Sequence, residues 1–113
     1  AYARGVKIAF GTDVGIYPHG ENAAELQEMV RLGMSPTDAL RAATVVAAEL
    51  FAVEGLTGTI EPGSRADLIA TANDPLRDIG ALSNVEFVMK SGQIIKRDGR
   101  MQLPLDYSLP QNY

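Results

Sequence analysis

Val6-Lys7-Ile8-Ala9-Phe10-Gly11-Thr12-Asp13 is the stretch on which the fold of this chain turns. Its apolar residues alternate, a glycine stops it, and a carboxylate follows just past its end, so it reads as a short strand with Asp13 at its carboxyl terminus. In α/β proteins ligands gather at the carboxyl ends of strands, which makes Asp13 a candidate for chemistry. The structural alternative is a turn residue, since Asp is common after strands because it starts turns and caps helices.

Upstream of this stretch, Arg4 and Gly5 have the form of a helix end, with a cation near the last carbonyls and glycine just past the cap. Nothing in the chain precedes this helix end but Ala1-Tyr2-Ala3, so the sequence is expected to start partway through a repeating unit. Downstream, Val14-Gly15-Ile16-Tyr17-Pro18-His19-Gly20-Glu21 is too broken by Gly and Pro for regular structure and reads as a loop at the mouth of the strand. Asn22-Ala23-Ala24-Glu25 has the capping-box pattern, and Ala23, Leu26, Met29 and Val30 recur at helical spacing up to a stop at Gly33. Ser35-Pro36-Thr37-Asp38 starts a second helix, with Leu40, Ala43, Val46, Ala47, Leu50 and Phe51 on one broad apolar face to residue 51.

From Gly55 the character changes to short extended pieces punctuated by Gly55, Gly58, Pro62 and Gly63. Residues 66–72 read as a strand ended by Asn73-Asp74-Pro75. Residues 85–90 and 93–96, joined by Ser91-Gly92, are a hairpin signal, and Asp98-Gly99 is a second turn. The segment 101–113, with Pro104 and Pro110, has no period and is expected to be an extended or disordered tail.

Composition bounds the function. The 113 residues suit one core, and the 46% apolar and 21% charged content is that of a globular protein. Ten basic residues against fourteen acidic ones, with the basic residues scattered, argue against a nucleic-acid face. No apolar run has membrane-spanning length, so neither nucleic acid nor membrane is an expected partner. The absence of cysteine removes disulfides, thiolate nucleophiles and cysteine metal sites and fits a cytoplasmic location.

Four blocks, in order, resemble the C-terminal part of metal-dependent amidohydrolases, in the branch of imidazolonepropionase-like and prolidase-like enzymes. They are residues 5–13; Pro18-His19-Gly20 with Asn22 and Leu26; Gly33-Met34-Ser35-Pro36 with Ala39-Leu40 and Ala42-Ala43-Thr44; and Gly58-Thr59-Ile60-Glu61-Pro62-Gly63-Ser64-Arg65-Ala66-Asp67-Leu68 with Asp74-Pro75-Leu76 and the Val88 to Gly92 hairpin. The resemblance implies an α/β fold, the C-terminal fragment of a (β/α)8 TIM-like barrel (last strand and following helices) joined to the C-terminal half of a small β-sandwich. Residues 1–54 would close the barrel, 55–100 would be the sandwich strands, and 101–113 the tail.

The resemblance further implies hydrolysis of an amide bond in a cyclic amide or dipeptide by a water activated on a divalent metal, zinc first among them. Asp13 matches the aspartate after the eighth strand, which in the family binds metal and shuttles the proton from the water to the leaving nitrogen. His19 matches a loop position near the metal and is the candidate substrate contact, against the alternative of a solvent-exposed loop histidine. Asn22 and Glu25 are explained by capping, Asp67 by a structural role in the sandwich, and Met29, Met34 and Met89 as core or interface fillers. With one histidine in the chain, the remaining metal ligands have to lie elsewhere. The isolated chain is therefore expected to bind no metal stably, to be inactive, and to self-associate or pair with a missing N-terminal portion. The rival expectation is a non-enzymatic remnant that folds through self-association.

Overall fold

The structure is a computed structural model, and it describes residues 1–13, 15, 18 and 20–102. A single 3-10 turn, Tyr2–Arg4, ends at Gly5, which donates its N–H to the Tyr2 carbonyl at 2.8 Å and leaves the turn at φ 74°, a left-handed conformation that suits glycine. Residues 6–12 then run without helix, turn or ladder partner among the described residues. The expected strand is thus present as a path without a sheet: Phe10 donates its N–H to the Ala42 carbonyl at 2.9 Å, a helix atom. Its alternation is nonetheless real, since Ile8 and Phe10 both pack against the buried cluster formed by Leu26, Met34, Ala39, Ile79 and Leu82.

Three helices follow, α1 (Ala23–Arg31), α2 (Pro36–Ala43) and α3 (Val45–Leu50). Ser35 caps α2 as its sequence requires, its hydroxyl accepting the Asp38 N–H at 3.1 Å with Pro36 in the first turn. The continuous helix expected to residue 51 is interrupted at Thr44, at φ −124° and ψ −94°. Two bonds account for the break. The Ala42 carbonyl, which a continuing helix would pair with residue 46, accepts from Phe10, and the Thr44 hydroxyl donates to the Leu40 carbonyl at 2.7 Å. The Asn22 half of the expected capping box does not form: Asn22 has helical backbone angles and no side-chain bond to the helix.

The second half is one antiparallel sheet in the order β1 (Leu68–Thr71), β2 (Val85–Lys90), β3 (Gln93–Arg97), β4 (Arg100–Met101). Ser91 and Gly92 have φ of 50° and 79°, and Asp98 and Gly99 have 50° and 73°, the paired left-handed residues of two tight hairpin turns. The strand expected over 66–72 is shorter, and Met101, assigned to the tail, belongs to β4. Residues 103–113 lie outside the described residues.

A second 3-10 segment, Ile79–Ser83, started by Asp78 accepting from the Gly80 N–H, contributes Ile79 and Leu82 to the core. The Gln27 amide holds it to α1 by a 2.7 Å bond to Ser83 Oγ. No helix among the described residues is long and apolar enough to cross a membrane.

Candidate active site

The parity of the extended segment builds the site. Ile8 and Phe10 face the helices, and Thr12, two residues on, is half-buried on the same side. Lys7 and Ala9 fall on the other parity and line a cleft of about 520 Å³ with Val46, Glu49 and Leu50. Within it the Lys7 ammonium meets the Glu49 carboxylate at 2.6 Å, an exposed pair that contributes little stability.

Asp13 leaves this path at φ 45°, a left-handed conformation that Asp tolerates better than most residues. It is exposed, and its carboxylate makes no hydrogen bond or ion pair among the described residues. His19 lies outside the described residues, so the expected juxtaposition of Asp13 and His19 does too.

Asn22 has a different place from the one its sequence context suggests. Its Oδ1 accepts the Gly20 N–H at 3.1 Å, and its Nδ2 donates to Thr12 Oγ1 at 3.3 Å. One side chain at the start of α1 so joins the residue before Asp13 to the residue before Glu21. The signal that could have found it is the same parity: if Ile8 and Phe10 face the helices, Thr12 must as well.

Asp67 is occupied by the fold. The Lys90 ammonium donates to Oδ2 at 2.6 Å and the Ser91 N–H to Oδ1 at 2.7 Å. These bonds, Lys90 first and the Ser91 amide second, hold its carboxyl below the ordinary carboxylate range. The structural role expected of Asp67 matches this arrangement. Met34 is buried and Met29 packs on the same core, as fillers do.

A second cleft, of about 350 Å³, lies between α3 and the start of β1, with Ala47, Phe51, Gly58, Ile60 and Ile69 on its walls. It is apolar and shares no residue with the surroundings of Asp13. Among the described residues no group of three or more His, Cys, Asp or Glu could hold a metal ion. The residues described here thus do not by themselves fit a closed or catalytic metal site.

Comparison with known proteins gives concordant results. The model of the "Amidohydrolase family" matches residues 1–95. The ochratoxinase of Aspergillus niger is 40% identical over 104 residues, which are 88% of this chain and 21% of the ochratoxinase. Imidazolonepropionase of Geobacillus kaustophilus is 30% identical over 107 residues, 88% of this chain and 25% of that enzyme. The solved structure of a Xaa-Pro dipeptidase with methionine bound in its active site superposes with a TM-score of 0.81 at 45% identity, covering 84% of this chain and 23% of that one. The chain therefore spans about a fifth to a quarter of the length of these three relatives.

Proposed function

Because the chain belongs to the amidohydrolase family, we propose that residues 1–113 form the closing part of a metal-dependent enzyme that hydrolyses the amide C–N bond of a dipeptide or cyclic amide. In this reading residues 6–13 are the last strand of a (β/α)8 barrel, α1 to α3 follow it, and the β1 to β4 sheet is half of a small β-sandwich. The observation that carries the reading is the family match over residues 1–95, which include the segment ending at the exposed Asp13.

Asp13 would supply one carboxylate to a divalent metal, zinc first among them, with the other ligands contributed by residues other than those of this sequence. When bound, the metal lowers the pKa of a coordinated water toward neutrality. The work of this chain is then proton handling: the Asp13 carboxylate accepts the proton of the attacking water and returns it to the leaving nitrogen. His19 contacts the substrate from the loop after Asp13. Residues 1–113 alone lack the remaining ligands and are inactive.

An ochratoxinase, an imidazolonepropionase and a Xaa-Pro dipeptidase are each similar over most of this chain, and a dipeptide ending in proline is the first substrate to try. In the full-length protein carrying these residues, Asp13→Asn should lower kcat for such a substrate by roughly a hundred- to ten-thousand-fold, the range of a lost general base. An Asp13→Asn enzyme with wild-type kcat would refute the assignment.

One observation favours a second reading. Phe51 and Ile60 are 75% and 86% exposed, which suits a non-enzymatic remnant held together by self-association. A reading frame with a His-x-His motif far upstream of residue 1 supports the enzyme; a stop codon there supports the remnant.

A further inference from the structure

We infer that Asn22 is a positioning residue for Asp13, acting through Thr12. The inference rests on the proposed catalytic role of Asp13.

The hydrogen-bond chemistry fixes which way the Asn22 amide faces. The Gly20 N–H can only donate, so the atom 3.1 Å from it is the Asn22 oxygen, and the NH₂ is left to face Thr12 Oγ1 at 3.3 Å. The hydroxyl is the acceptor in this pair, and both partners are part-buried. Thr12 is peptide-bonded to Asp13, whose φ of 45° is a left-handed conformation that few non-glycine residues adopt, Asp more readily than most.

The supports of this segment are few. Ahead of Asp13, Phe10 is tied to the Ala42 carbonyl and packs on the core, whereas Gly11 is exposed and has no atom within 4 Å of where a Cβ would stand. Among the described residues, the Thr12 hydroxyl is the point between the Phe10 anchor and Asp13 at which a helix-borne side chain holds the segment. Asn22 occupies that point from the start of α1. Helix capping does not explain this side chain, because it makes no bond to the helix it precedes. A shift of about 1 Å at a catalytic group can lower a rate about a hundredfold, so a single bond beside Asp13 has leverage on kcat.

The test is a double-mutant cycle in the full-length enzyme, assayed with a proline dipeptide, with thermal unfolding measured in parallel. Asn22→Ala and Thr12→Val should each lower kcat by about tenfold or more while KM stays within about threefold, and the double variant should be no slower than the worse single one. Thr12→Ser, which restores the acceptor, should recover most of the loss. A crystal structure of Asn22→Ala should show Asp13 displaced or out of the left-handed region. If Asn22→Ala keeps kcat within about twofold, or the two losses multiply, or kcat is unchanged and only the unfolding temperature falls, the positioning role is overturned. Asp13→Asn separates the levels: if it is inactive while Asn22→Ala is fully active, only this inference fails, and if it is fully active, the reading fails and the inference with it.

Discussion

Two carboxylates at the ends of extended segments have opposite fates in this chain. Asp13 is exposed and uncommitted among the described residues, whereas Asp67 is spent on Lys90 and the Ser91 amide. Asp67→Asn should lower stability by about 1 kcal/mol, the value of a charge-assisted bond discounted for a pair whose side chains are 21% and 36% exposed. The sign of its pH dependence follows from a folded pKa below the ordinary 3.8. The stabilisation is complete above about pH 3.8 and is lost as pH falls through the lower folded value. Thermal unfolding should therefore separate wild type from Asp67→Asn at pH 7 and bring them together in strong acid. At this scale the sequence was legible wherever one residue had one use. Ser35 stood out as a cap because Pro36 and Asp38 repeat its message, and its hydroxyl does accept the Asp38 N–H. Asn22 misled because an amide before a helix serves equally as a cap or as a bridge, and only the position of Thr12 decides between them.

Elements were legible where local chemistry sets them and less so where a distant segment intervenes. The hairpin through Ser91-Gly92 needs only its own turn residues, and it forms where the sequence puts it. The helix expected to residue 51 fails at Thr44 because Phe10, far away in sequence, takes the Ala42 carbonyl. No periodicity in residues 39–51 carries that information. The break has a neighbour, Gly58, at φ 89°, where an added Cβ would stand 3.1 Å from both the Ala48 Cβ and the Thr44 carbonyl oxygen. Glycine there answers to backbone conformation and to a backbone contact at once. Gly58→Ala should destabilise the protein by about 1–3 kcal/mol in urea unfolding. A change of a few tenths would mean that this loop does not lie against α3. The segment Ile79–Ser83 escaped notice because five residues are too short for a period, yet Ile79 and Leu82 are buried in the core.

For the whole molecule, the sequence resemblance reached the family and the α/β class, and the comparisons agree with both. What the alternation in residues 6–13 could not reveal is whether the strand finds neighbours. It supplies the right parity, but its backbone pairs with a helix carbonyl and with no strand among the described residues. Alongside it Val6, Leu50 and Phe51 are exposed, and so are Ile60 and Ile69 around the α3 cleft. Apolar surface of this kind and an unpaired extended segment favour association. Residues 1–113 expressed alone should sediment as a concentration-dependent oligomer, and Phe51→Ser with Ile60→Ser should shift the distribution toward monomer. A monomer at high concentration without those substitutions would show that the exposed residues have no affinity for one another.

The two tight turns of the sheet have a consequence for time. β2, β3 and β4 meet one another across two residues each, so their contacts close with little loop entropy, and hairpins of this kind form in about 1–10 μs. The bond from Phe10 to Ala42 has no such shortcut, since α1 and the start of α2 must be in place before that carbonyl exists as a fixed target. These separations predict that the C-terminal meander forms before the Phe10 to Ala42 contact, so that pulse-labelled amide exchange should protect β2 and β3 earlier than the Phe10 N–H.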